Sequence, residues 1–312
     1  MLTPIKSWKT FEEQADILKQ RGLLFANRAR LENYLSRIGY YRFSGYLHPF
    51  RQWDSHNNLL LDTFMPNSHF EDVLSLYLFD KKLRLLALDA LERIETAIKV
   101  DIAYLLGEKD PLAHRDSQYF DGQFIKNSNH QKWLEYTDEL VQRAKKKSTP
   151  FVLHNQNKYG DLPIWVACNL WDFGAMSKVY SGLTRKDRDK ISQKYGLNNG
   201  KEFAKWLKSL NEIRNICAHH DRLWNSRITI KSSKIKESFW DKLDNSRPFF
   251  YFCVMQKILK VLCPKSQWGQ RFLSLIDEFP KHHSSKINLK VFGLIDDYKN
   301  WNLWQPSQDL DK

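Results

Sequence analysis

The sequence predicts an all-α protein. Apolar residues recur at steps of three and four along most of the chain, and helix start and stop signals bracket the strongest of these runs. Period-two alternation is confined to Arg227-Ile-Thr-Ile-Lys231, a candidate short strand or β-hairpin arm. With 312 residues the chain allows two domains, or one large domain with an appendage. Hydrophobic residues at 42% and aromatics at 14% exclude a disordered chain.

In order along the chain, helices are expected over 10–20 and 28–38, forming an N-terminal helical appendage (residues 1–66). The main bundle and its C-terminal extension follow (residues 67–312). Its spine runs from about Phe70 to Leu106. Ser68 and Glu71 have the spacing of a capping box, in which each side chain bonds the other's backbone N–H. Val73, Leu76, Leu83, Leu86, Ala90, Ile94, Ile98 and Ile102 then mark one apolar stripe, and Gly107 with Asp110-Pro111 ends it. Further helices are expected over 130–147, 164–181, 185–195, 200–219, 247–262 and 268–278.

The 49 Lys and Arg outnumber the 36 Asp and Glu by 13, which favours a polyanionic partner. The four cysteines, at 168, 217, 253 and 263, have no C-x-x-C spacing and read as free thiols. The N-terminus lacks the apolar run of a signal peptide, and no apolar run reaches the ~18 residues of a membrane helix. A cytoplasmic protein that does not engage membranes is expected. Neither G-x-x-x-x-G-K-[ST] nor G-x-G-x-x-G occurs, so nucleotide hydrolysis and dinucleotide chemistry have no support.

The densest local chemistry is Arg214-Asn-Ile-Cys-Ala-His219-His220-Asp-Arg222-Leu-Trp-Asn225, at the end of one predicted helix. With Arg214 at zero on an ideal helix, Leu207 lies at about +20°, Phe203 at about −20° and Leu210 at about −40°, whereas His219 lies at about +140°. Arg214 therefore sits in the apolar stripe of its own helix and must be paired, or face a cleft or an interface. Arg214 and His219 converge only if the helix ends or distorts near Ala218, or if a second copy completes the site. Arg, Asn and His without a metal suit RNA cleavage by attack of the 2′-hydroxyl on the adjacent phosphorus. Histidine moves protons and arginine neutralises the transition state. Cys217, His219, His220 and Asp221 are potential metal ligands, but no second cluster has zinc spacing and His282-His283 stands apart. No metal and no cofactor are expected.

Arg214-Asn-x-x-x-His219 resembles the HEPN ribonuclease motif, and the full string through Asn225 resembles the signature of the bacterial Abi-like family (AbiD/AbiF type), tied to abortive infection against phage. Three further segments are similar to that family. They are Ile38-Gly-Tyr-Tyr-Arg-Phe-Ser-Gly-Tyr-Leu-His-Pro-Phe50, Ala90-Leu-Glu-Arg-Ile-Glu-Thr-Ala-Ile98, and Leu162-Pro-Ile-Trp165 with Phe173-Gly-Ala-Met-Ser177. The resemblance implies a HEPN four-helix core and a homodimer whose paired Arg and His form one ribonuclease site. It also implies a toxin-like role in phage defence, with a structured noncoding RNA as guide or antidote.

On this reading Arg214 clamps phosphate, His219 is the general acid or base, and Asn215 bonds the scissile phosphate or holds the following loop. The alternative for Arg214 is a structural ion pair with Glu92 or Glu95, either of which can also orient it for catalysis. His220 contacts RNA or caps the helix, and Arg222 and Asn225 fix the loop. Arg37, Tyr40, Tyr41 and Arg42 mix aromatics with arginine as single-stranded RNA sites do, or form a packed helical corner. Lys145, Lys146 and Lys147 extend an RNA track or are a solvated face. The competing function is an RNA-binding protein that sequesters a structured noncoding RNA without cutting it. Specific DNA binding is not expected, since no helix-turn-helix stands out.

Overall fold

Helix α1 (Phe11–Gln20) opens on a capping box: Thr10 Oγ1 accepts the Glu13 N–H at 3.1 Å, and the Glu13 carboxylate accepts the Thr10 N–H at 2.8 Å. The computed structural model describes residues 5–281 and 286–305, so His282-His283 lies outside the described residues. Helix α2 (Arg28–Ile38) is capped by Asn27, and Gly39, at φ 83°, turns the chain into α3 (Tyr40–Leu47).

A two-stranded antiparallel hairpin follows, β1 (Arg51–Asp54) with β2 (Leu59–Phe64), in register Arg51↔Phe64 and Asp54↔Leu59. Its turn is built by Asp54, whose carboxylate accepts the N–H groups of His56 and Asn57, and by Asn58 in the left-handed region at φ 52°. The hairpin expected at 227–231 is thus a correction. Ile228 is buried as its alternation implies, but this stretch finds no strand partner among the described residues. Its backbone is taken instead by Glu212, which accepts the N–H of Thr229 and Ile230, by Ser209, which donates to the Ile230 carbonyl, and by Ser246, whose carbonyl accepts the Ile228 N–H.

Helix α4 (Phe70–Gly107) is the spine, 38 residues long, and its predicted stripe is buried. The Ser68–Glu71 capping box does not form. Ser68 Oγ donates to the Met65 carbonyl at 2.7 Å, and the Phe70 N–H is taken by the Leu24 carbonyl across an isolated bridge between Leu24 and His69. Short α5 (Gly122–Lys126) leads to α6 (Asn129–Lys146) and α7 (Pro150–Tyr159), the latter opened by proline in its first turn.

The helix expected over 164–181 is broken into α8 (Ile164–Ala167), a 3₁₀ turn over Cys168–Leu170, and α9 (Phe173–Gly182). Asp172 causes the restart, because its carboxylate caps α9 by accepting the Ala175 N–H at 2.7 Å. Then come α10 (Arg185–Lys194), α11 (Gly200–Ala218), α12 (Ser238–Asp241), α13 (Pro248–Leu262) and α14 (Trp268–Asp277). Helix α4 packs against α3, α8, α9, α11, α13 and α14, and α11 is wrapped by α4, α9, α10 and α13. One apolar core runs from Ala15 through both long helices to Trp304. Among the described residues, no helix is long and apolar enough to cross a membrane.

Candidate active site

Helix α11 ends at Ala218, and His219 is its C-cap with φ −84° and ψ 3°. His220 then adopts φ 61°, the left-handed region that non-glycine residues enter at a cost, and turns the chain back on itself. The His219 ring is exposed and hydrogen-bonds no described residue. It is therefore not spent on capping a carbonyl.

Arg214 lies one turn before the helix end, half-buried beside the buried Leu210, Ile213 and Cys217. Its guanidinium donates to Asn215 Oδ1 at 3.3 Å and forms no ion pair among the described residues. The expected partners are occupied or turned away: Glu95 bonds Lys99 at 2.6 Å, and Glu92 is exposed. Within one chain, then, neither Glu92 nor Glu95 orients Arg214. Asn215 is exposed, and its carbonyl accepts the His219 N–H at 2.9 Å.

What fixes this end of the helix is a buried carboxylate that the sequence reading missed. Asp80, fully buried on α4, accepts the Trp224 N–H at 2.7 Å and the Leu223 N–H at 3.2 Å. It also accepts the Tyr46 hydroxyl at 2.6 Å and Arg84 Nη1 at 2.5 Å. Burial raises the Asp80 carboxyl above its ordinary value, and Arg84, Tyr46 and the two backbone donors pull the other way. Burial, then the Asp80 charge, pushes the Tyr46 hydroxyl up. Burial likewise pushes the Cys217 thiol up to about 12. The signal for Asp80 was present: it fills the gap in the α4 stripe between Leu76 and Leu83, with Arg84 four residues on.

The turn after His219 is also tied to α3. Arg84 donates to the Asp221 carbonyl at 3.3 Å, Arg42 to the His220 carbonyl at 3.0 Å, and Arg222 to the Gly45 carbonyl. That last bond joins Arg222 of the loop to Gly45 of α3. Asn225 Oδ1 and Trp224 Nε1 are buried without a hydrogen-bond partner among the described residues. Segment 38–50 is a packed helical corner, with Phe43, Tyr46, Leu47 and Phe50 buried. The same corner turns Tyr41 and Arg42 to solvent and leaves Tyr40 half-buried.

The structure thus brings Arg42, His220 and Arg222 together with Tyr40 and Tyr41 around one cavity of about 980 Å³. Arg37 is exposed on α2 and does not line it, and neither do Lys145, Lys146 and Lys147 at the end of α6. Arg214 and His219 lie outside it as well. Among the described residues, no three His, Cys, Asp or Glu side chains gather closely enough to hold a metal ion.

Compared with known proteins, residues 33–225 match the family model described as Abi-like protein. That span runs from α2 to the end of the turn and contains Tyr46, Asp80, Arg84, Arg214 and His219. Neither the curated proteins nor the solved structures compared with the chain gave a match. Because the matched span is more than half of the 312 residues, the chain belongs to the Abi-like protein family.

Proposed function

We propose that this protein is a metal-independent endoribonuclease of HEPN type, acting in the cytoplasm as a toxin-like effector. Membership of the Abi-like family suggests the abortive-infection role. The observation that carries the catalytic reading is the state of two side chains. Among the described residues, a half-buried arginine without a carboxylate partner and an exposed histidine whose ring makes no hydrogen bond stand within five residues of each other at one helix end. The Arg214 guanidinium reaches solvent and has no carboxylate partner among the described residues, so it is open to a phosphate ligand.

In the proposed reaction the substrate 2′-oxygen attacks phosphorus as its proton passes to a histidine. The 5′-oxygen leaves with a proton, and Arg214 balances charge on the pentavalent phosphorus by paired hydrogen bonds. The products are a 2′,3′-cyclic phosphate and a 5′-hydroxyl. One histidine serves as base while a second serves as acid, which a homodimer supplies by pairing two copies of Arg214 and His219. Asn215 steadies Arg214 through its Oδ1. A structured noncoding RNA, as antidote or guide, is the proposed restraint on cutting.

The test is cleavage of end-labelled single-stranded RNA in EDTA by wild type, Arg214→Ala and His219→Ala. Cutting that leaves cyclic phosphate ends and disappears in both variants, with unchanged thermal unfolding, is the expected result. RNA bound tightly and never cut would replace this reading with sequestration of a noncoding RNA. Activity lost in EDTA alone would overturn the metal-free mechanism.

A further inference from the structure

The cavity of about 980 Å³ lies between α1, α3, the hairpin and the turn that follows His219. Six lysine and arginine side chains line it against two aspartates, Asp62 and Asp221. Asp62 is already engaged, accepting from Arg51 at 2.6 Å and Arg21 at 3.4 Å. The half-buried Arg222 has only the neutral Gly45 carbonyl as a hydrogen-bond partner among the described residues, and burial pushes its guanidinium below the ordinary value. Burial and the charges of Arg222, Arg51 and Lys286 hold His48 below its usual range, so the field on this wall is positive. At the mouth stands Tyr41, a tyrosine 92% exposed, beside the half-buried Tyr40.

Lys9 meets the exposed Glu13 carboxylate at 3.1 Å, a surface pair that a phosphate can replace, while Arg42 and Arg222 bond backbone carbonyls and no carboxylate among the described residues. Such cations in a concave wall call for an anion, and the volume lies at the upper end of the roughly 300–1,000 Å³ of small-ligand pockets. It has room for more than an isolated phosphate. An exposed tyrosine face beside spaced cations is the pattern that holds an unpaired strand, by stacking its bases and pairing its phosphates. Duplex RNA keeps its bases stacked on one another and offers that ring nothing to stack upon. The lining includes His220 and Asp221, the residues directly after His219, and Arg42 bonds the His220 carbonyl.

We propose that this cavity is the substrate-strand site, in which Lys9, Arg42 and Arg222 take consecutive phosphates of single-stranded RNA and Tyr41 stacks a base. A strand seated there is led past His219. The substrate class rests on the ribonuclease reading, while the site itself rests on the geometry of the cavity.

Binding is measured by fluorescence anisotropy with a short, labelled, fully 2′-O-methylated single strand, which cannot be cut by 2′-hydroxyl attack. Tyr41→Ala should weaken binding by about 5- to 150-fold, the range of one lost base stack. Lys9→Gln should reduce the salt dependence of log K by about 0.7, one phosphate contact on a single strand. Lys265→Gln, an exposed lysine after α13 that does not line the cavity, should change neither. Both Tyr41 and Lys9 are exposed, so unchanged thermal unfolding separates lost binding from lost folding.

Wild-type affinity in both Tyr41→Ala and Lys9→Gln would overturn the site. So would equal competition by duplex RNA, or saturation by a mononucleotide as tightly as by the strand. The two proposals fail separately. If cleavage depends on Arg214 and His219 while Tyr41→Ala binds normally, the cavity assignment falls and the ribonuclease stands. If the strand binds through Tyr41 and unmodified RNA is never cut, the reverse holds.

Discussion

Replacing Asp80 by asparagine should destabilise the protein by about 3 kcal/mol without opening a cavity. The size of the effect follows from what each oxygen does. Oδ1 accepts the Trp224 N–H at 2.7 Å, and an asparagine carbonyl can keep that bond. Oδ2 accepts Arg84 at 2.5 Å and Tyr46 at 2.6 Å, where the new amide nitrogen presents hydrogens toward hydrogens. Arg84 is then a guanidinium 5% exposed, left with the Tyr46 hydroxyl at 2.9 Å and the Asp221 carbonyl at 3.3 Å. Removing one side of a buried pair costs about 3–5 kcal/mol, and the two neutral acceptors place this case at the low end. With an m-value of about 3 kcal/mol/M in urea, the unfolding midpoint falls by about 1 M. Urea titration followed by tryptophan fluorescence reads this directly. Arg84→Met placed on top of Asp80→Asn removes the stranded charge and should recover part of the loss. An Asp80→Asn protein within about 1 kcal/mol of wild type, or a double variant less stable than Asp80→Asn alone, would refute the clamp.

Other measurements address other parts of the fold. His114 is buried, and burial lowers its pKa from 6.5 to about 4. The unfolded chain therefore binds its proton first. The neutral histidine's contribution is complete above about pH 6.5 and falls as the pH drops, the loss reaching about 3 kcal/mol by pH 4. His114→Gln should flatten urea midpoints between these pH values, and an unchanged slope would contradict this. Gly200→Ala should cost about 1–3 kcal/mol, because a Cβ there would stand 2.4 Å from Arg188 Cβ and 2.5 Å from its backbone carbon, forcing α10 and α11 apart. Thermal unfolding checks it, and a neutral result would mean the helices separate freely. A disulfide reagent added to the native protein should label Cys263 first, since Cys168, Cys217 and Cys253 are buried with their thiols pushed up by burial. All four should react in denaturant, and rapid native labelling of Cys217 would count against the packing of α11.

The long elements were legible because their stripes are continuous: α4 and α11 read from sequence nearly as they stand. Elements made by local hydrogen bonding were not. The hairpin at 51–64 depends on Asp54 and Asn58 in its turn rather than on alternation, and Leu59, Leu60 and Leu61 hide its period. The false strand at 227–231 shows the converse, a true alternation whose backbone is claimed by side chains of α11. At the candidate site, Arg214 and His219 stand out in the sequence by spacing and chemistry. The Asp80 clamp does not, because a charge inside an apolar stripe reads as an interruption until its partners, about 140 residues later, are in view.

That separation has a consequence for synthesis. Asp80 and the Trp224 N–H it holds are 144 residues apart. At about 5–20 residues per second, the ribosome takes roughly 7–30 s to make the intervening chain. Through that interval Asp80 has Arg84 and Tyr46 but lacks both backbone donors, and the turn carrying His219 has not been made. A chain broken off between Asp80 and the turn therefore carries the buried carboxylate but not the histidine. For a protein proposed to cut RNA inside its own host, every prematurely terminated translation product of this kind is harmless by construction.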